Sequence, residues 1–158
     1  MRTEEAVKFF GQDIINSNGM ELEKRYMQHG NTSAFLHSLK VACVSYSIAK
    51  KLKLKVDEKS LIRGSLLHDY FLYDWHDKNS CHGLHGFTHA KTALENAEKE
   101  FELNDVEKDM ILKHMFPLNL KPPKHKESVI LCIADKIVAT CETLKINIFK
   151  YDLAIIYM

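Results

Sequence analysis

Apolar residues recur at helical spacing along most of the chain, and polar clusters break them into segments. Ala6, Val7, Phe10 and Ile14 share one side of a helix that Thr3 can cap and that Asn16-Ser17-Asn18-Gly19 stops near Ser17. A short helix is predicted from Glu21 to about Gln28, ending at Gly30. Asn31-Thr32-Ser33 then opens a long helix to about Leu52, on which His37, Val41, Val44 and Ile48 follow one face. Val56-Asp57 begins the next, with Leu61, Ser65 and His68 at intervals of four and three. Tyr70 to Gly86 alternates aromatic and polar residues and reads as an ordered loop. Phe87 or Thr88 starts a helix to about Phe101. Asn104 caps another to about Met115, and Pro117 forbids much continuation. Pro122-Pro123 marks the last connection before a strongly apolar helix from Glu127 to about Leu144. The tail from Ile146 to Met158 fits helix or strand.

No βαβ alternation, internal repeat or interdomain linker interrupts this pattern. The expectation is an all-α fold: a single compact helical domain, residues 1–158, of about six to eight helices. Its core spans about residues 33–140, with the N-terminal helices and the tail as extensions.

Composition narrows the function classes. A formal net charge of +1 gives no electrostatic case for a nucleic-acid scaffold. The one basic run, Lys50-Lys51-Leu52-Lys53-Leu54-Lys55, suits a helix C-terminus. Cys43, Cys81, Cys132 and Cys141 show no CxxC spacing. Three lie in apolar stretches as buried free thiols and Cys81 lies in a polar loop, which points to a reducing, cytoplasmic setting without disulfides. No apolar run has the length that spans a bilayer, and no signal segment is evident. The outlier is histidine, with nine residues.

Two His-Asp pairs occur, where chance gives about half a pair, so the dipeptide alone carries little weight. His76-Asp77 stands in Trp75-His76-Asp77-Lys78-Asn79-Ser80 and reads as an exposed polar turn. His68-Asp69 ends an apolar helix and cannot easily escape to water. A carboxylate buried there needs a strong partner, either a metal or a basic side chain. Asp135 poses the same problem inside Ile130-Leu131-Cys132-Ile133-Ala134-Asp135. His37, His89 and His114 each sit within or at the end of a further helix. A lone core histidine is more often hydrogen-bonded structure than ligand. The ordered series on successive helices is harder to obtain by accident, and helical bundles build metal sites from facing helices in this way.

The series His37, His68-Asp69, His89, His114 and Asp135 resembles the HD-domain superfamily of metal-dependent phosphohydrolases, from about Ser33 to Thr140. His37-Ser38-Leu39-Lys40-Val41-Ala42, Leu66-Leu67-His68-Asp69, His89 with Ala93-Leu94, and Ile133-Ala134-Asp135-Lys136 carry the likeness. The resemblance implies one or two divalent transition-metal ions, of Fe, Mn, Zn, Ni or Co. His37, His68, Asp69 and Asp135 would hold one ion, and His89 and His114 the second, with Asp69 bridging and orienting a metal-activated water. In one-metal members the later histidines meet substrate instead. The implied substrate is a small phosphorylated molecule, such as a nucleotide. A catalytically silent metal- or ligand-binding module is the alternative. Leu72 stands where the cyclic-dinucleotide phosphodiesterase branch carries a lysine, and Met115-Phe116-Pro117 replaces that branch's signature after the fourth histidine, so cyclic-dinucleotide chemistry is not expected.

Lys40, one turn after His37, and Lys136, beside Asp135, are candidate phosphate contacts or surface ion-pair partners. His85, four residues before His89, either lines the site or lies in the loop with Gly86. Tyr70, Phe71, Tyr73 and Trp75 either stack a base or pack the loop. His29 and His125 read as surface residues. Oligomeric state is open.

Overall fold

A computed structural model of the chain describes residues 1–74, 76 and 85–158, apart from the side chains of His85 and Phe87. Among these residues the chain forms eight helices and one small strand pair: α1 (Thr3–Ile15), α2 (Asn18–Glu23), β1 (Met27–His29), β2 (Thr32–Ser33), α3 (Ala34–Lys51), α4 (Glu58–Leu67), α5 (His85–Glu100), α6 (Asp105–Lys113), α7 (Lys126–Thr143) and α8 (Ala154–Tyr157). The all-α expectation holds.

Caps explain most of the boundaries. Ser33 Oγ accepts from Leu36 N at 3.3 Å and starts α3. Asp57 accepts from Ser60 N at 3.1 Å and starts α4. Asn104 and Glu107 form a reciprocal capping box on α6, at 2.9 and 3.0 Å. Thr3 is not the cap of α1, however. Its hydroxyl lies 3.2 Å from Ser47 Oγ, and the Arg2 backbone N–H donates to Glu5 instead.

Other elements depart from the expectation as well. The second helix begins at Asn18, capped by Ser17, and ends at Glu23. The chain then forms an antiparallel ribbon whose turn places Gly30 at a φ of 58°, in the left-handed region that glycine enters without strain. Helix α5 starts at His85, so Gly86 lies inside it rather than in a loop. The tail settles as a single helical turn, α8.

Helix α3 packs on α4 and α7, while α4 packs on α1 and α6, and α6 on α5 and α7. Two apolar clusters result. One joins Val7, Ile14, Leu39, Ile62, Leu66 and Tyr70; the other joins Val41, Leu61, Met110, Leu131 and Val138. Each fully buried Leu or Ile contributes about 1.5–3 kcal/mol. Gly64 sets the α4–α6 spacing, since a Cβ there would lie 2.5 Å from Met110 Sδ. The same packing turns the ends of α4 and α6 inward against α3 and α7. Among the described residues no helix is long and apolar enough to cross a membrane.

Candidate metal centre

All six residues singled out in the series are buried, none more than 8% exposed. His68 and His114 are the C-cap residues of α4 and α6. The last carbonyls of a helix lack intrahelical donors. His68 Nδ1 meets Ser65 O at 2.7 Å, and His114 Nδ1 meets Ile111 O at 2.8 Å. A carbonyl only accepts, so Nδ1 must carry the proton on both rings. Nε2 then points inward as the unprotonated nitrogen that could serve as a ligand atom. His37 is oriented from another direction: its Nδ1 lies 2.8 Å from Glu142 Oε2 on α7.

The inward nitrogens face carboxylate oxygens. His37 Nε2 is 3.0 Å from Asp135 Oδ1, and His68 Nε2 is 3.5 Å from the same atom. Asp69 Oδ2 lies 3.3 Å from His68 Nε2 and 3.7 Å from His37 Nε2. Asp69 Oδ1 turns the other way, 3.2 Å from His89 Nε2 and 3.3 Å from His114 Nε2. His89 and His114 bring their Nε2 atoms within 2.9 Å of each other. One carboxylate thus stands between two imidazole pairs.

Lone pairs facing lone pairs in a buried site require a cation between them, either protons or a metal ion. His68 Nε2 and Asp69 Oδ1 are buried without a hydrogen-bond partner. Two sets of ligand atoms, from His37, His68 and Asp135 and from His68, Asp69 and His114, each lie within 4.8 Å of one another. These donors fit one or two divalent transition-metal sites.

The electrostatics agree. Burial opposes charge on His37, yet Asp135 and Glu142 push it up to about 9. Burial likewise opposes charge on His68, but Asp69 and Asp135 raise it well above the ordinary histidine value. Asp69 and Asp135 sit far below the usual carboxylate range despite burial, held there by the surrounding imidazoles. His114 is lowered, by burial and by the neighbouring charges of His68 and His89 against the pull of Asp69. The carboxylates therefore favour positive charge at His37 and His68, whereas burial and the neighbouring imidazoles oppose it at His114.

Four residues beside the centre, Glu142, Gln28, His29 and Glu23, are not assigned to it in the sequence reading. Glu142 orients His37 and is itself bound by Lys40 Nζ at 3.0 Å. It stands seven residues after Asp135, two turns along the same face of α7, and that spacing is a signal the sequence carries. Gln28 Nε2 donates to Asp69 Oδ2. His29, expected on the surface, is half-buried, and its ring meets that of His37 at 5.2 Å between centroids. Glu23 is buried, accepts from Leu72 N at 3.1 Å through Oε1, and leaves Oε2 without a partner. Burial pushes its carboxyl up to about 8.

The centre opens on a cavity of about 240 Å³, bounded by Gln28, His29, Asp69, His89, His114 and Asp135 together with Gly86 and Met115. Lys40 lies on Glu142, and the exposed Lys136 places its ammonium 3.3 Å from His114 O and 3.4 Å from Cys132 O. The His85 side chain, Trp75, Asp77 and Cys81 lie outside the described residues. Tyr70, Phe71 and Tyr73 are buried, with Phe71 against the His89 ring at 5.9 Å, so packing accounts for these three. Asn96 Nδ2 donates to Tyr70 O at 3.2 Å and Phe71 O at 3.0 Å, which fixes the segment that follows Asp69. Cys43 and Cys132 are buried free thiols as expected, whereas Cys141 is partly exposed. His76 is exposed and turned to Asp74, and His125 is half-buried at the start of α7.

No curated protein and no solved structure is significantly similar to the chain. The family model described as HD domain matches residues 34–140, from the start of α3 to the last turns of α7. That span contains all six residues of the series, five of which form the two candidate ligand sets, and the chain belongs to the HD domain family.

Proposed function

We propose that the protein is a metal-dependent phosphohydrolase that cleaves a phosphoester or phosphoanhydride of a small phosphorylated molecule, such as a nucleotide. The observation that carries this reading is Asp69, whose two oxygens face separate imidazole pairs. Such a carboxylate is built to be shared by two cations. His37, His68 and Asp135 would hold one ion with Asp69, and His89 and His114 the other. Bound ions supply Lewis acidity and an activated water at neutral pH.

The chain's own residues do the rest. Asp69 orients the attacking water, and Glu142 and the Ser65 and Ile111 carbonyls keep the imidazoles aimed inward. Among the described residues no serine or cysteine lines the cavity, and attack by water needs none. Lys136 and His85 are proposed phosphate contacts. Lys40 acts first on Glu142, and a reach to phosphate would require leaving it. Residues 1–158 are proposed to work as one unit, because α1 packs on both α4 and α8.

The test is elemental analysis of protein purified without chelator, followed by phosphate-release assays with Mn, Fe, Co and Ni. Nucleotides, dinucleoside polyphosphates and simple phosphomonoesters form the substrate panel. The expected result is bound transition metal and phosphate release that chelation abolishes. Protein that binds metal yet hydrolyses nothing would be a binding module, and protein that binds no metal would overturn the reading altogether.

A further inference from the structure

We propose that His29 contacts the phosphoryl group of the substrate and that Gln28 is the positioning residue for Asp69, both set in place by an irregularity in the β1–β2 ribbon. This rests on the phosphohydrolase reading and extends it to residues outside the ligand series.

Neighbouring residues of a regular strand point to opposite faces. Gln28 and His29 are neighbours, yet both bound the cavity at the metal centre. The pairing register explains this. Met27 pairs with Ser33, His29 pairs with Thr32, and the ladder is irregular between them. An extra residue on one strand bends it and re-aims its side chains. The ribbon is anchored where this matters: Ala34 N donates to Tyr26 O at 2.7 Å, and the turn at Gly30 lies against the Glu142 carbonyl, 3.4 Å from where a Cβ would stand. Strand β1 also packs on α3 and α7, the helices that carry His37 and Asp135.

The two side chains then divide the work. Gln28 is 4% exposed, and its amide donates to Asp69 Oδ2. This neutral donor satisfies a lone pair of Oδ2 and fixes the rotation of the carboxylate. Oδ1 is left facing His89 and His114. His29 is different. Among the described residues its ring has no hydrogen-bond partner, and it stands on the cavity wall beside the ligand cluster. A half-buried imidazole with an unused N–H, next to a site for cations, suits an oxygen of a bound phosphate.

The experiment compares wild type with His29→Ala, His29→Asn and Gln28→Leu. Metal content, manganese(II) affinity, and binding of inorganic phosphate to the manganese-loaded protein are measured by elemental analysis and calorimetry. Circular dichroism checks the fold. His29→Ala is expected to keep its manganese and lose about tenfold in phosphate affinity, the scale of one hydrogen bond to a charged group. His29→Asn, which retains a donor, should recover part of the loss. Gln28→Leu is expected to lose about tenfold or more in manganese affinity, as residues that orient metal ligands do.

An unchanged phosphate affinity in His29→Ala overturns its assignment. So does a loss of manganese in that variant, which would make His29 a metal ligand, and so does wild-type protein that takes up manganese but binds no phosphate. Unchanged manganese affinity in Gln28→Leu overturns the positioning role. Wild-type protein that binds phosphate through His29 but hydrolyses none of the panel would sink the phosphohydrolase reading while leaving His29 in place.

Discussion

His37 and Glu142 are joined across α3 and α7 by a 2.8 Å hydrogen bond, and the other oxygen of Glu142 takes the Lys40 ammonium at 3.0 Å. The carboxylate holds the His37 ring so that Nε2 faces Asp135. Glu142→Gln keeps an acceptor but removes the charge, and Glu142→Ala removes both. We expect metal affinity to fall about tenfold in the first and up to about 100-fold in the second. Chelator competition measures this, and equal affinity in all three proteins would show that Glu142 only ties Lys40 down.

Asp69 is proposed to be shared between the two imidazole pairs, so its loss should be felt on both sides of the cluster. Asp69→Ala is expected to lose hydrolytic activity and most bound metal while keeping its helical content. His114→Ala should cost mainly one ion of a pair, halving the metal content if two bind. Elemental analysis beside far-ultraviolet circular dichroism separates these outcomes. Full activity in Asp69→Ala would refute the assignment of the centre.

Glu23 makes stability depend on pH. Its carboxyl is raised to about 8 by burial, from an ordinary value of 4.5. The folded state therefore holds a proton that the unfolded chain releases above about pH 4.5. The stability this contributes is full below the unfolded value and is lost as pH rises toward about 8. Glu23→Gln carries no ionisable group there, so it should lose less stability between pH 6 and pH 9 than wild type. The difference is expected at about 1–3 kcal/mol, the scale of one poorly satisfied buried polar group. Urea unfolding at the two pH values measures it, and parallel behaviour of the two proteins would remove Glu23 from the account.

Gly64 lets α4 and α6 approach closely. An added Cβ would lie 2.5 Å from Met110 Sδ and 2.7 Å from its Cε. Alanine favours helix by about 1 kcal/mol over glycine, but overpacking here opposes that gain. We expect Gly64→Ala to be destabilised by about 1–3 kcal/mol in urea unfolding. Metal binding should weaken as well, because these helices bring the His68 and His114 rings to 4.9 Å. A variant more stable than wild type would mean that the Met110 side chain gives way freely.

The helical character and most helix starts follow from the amino acids alone. Ser33, Asp57 and Asn104 cap through bonds to residues three positions on, and such local chemistry is written in the chain. The sequence also singled out His37, His68, Asp69, His89, His114 and Asp135, because polar residues recurring in apolar helices demand partners. Glu142 was not singled out, although its spacing of seven residues from Asp135 carries a signal. The remaining features depend on long-range geometry. Gln28 and His29 reach the centre through a strand irregularity between segments that look helical or polar in isolation. Lys40 pairs with a carboxylate 102 residues away. The division of Asp69 between two imidazole pairs arises only when the ends of α4 and α6 and the start of α5 are packed against α3 and α7. Local propensity reports what a few neighbouring residues prefer, whereas these contacts exist because buried lone pairs from distant segments must share whatever positive charge the core admits.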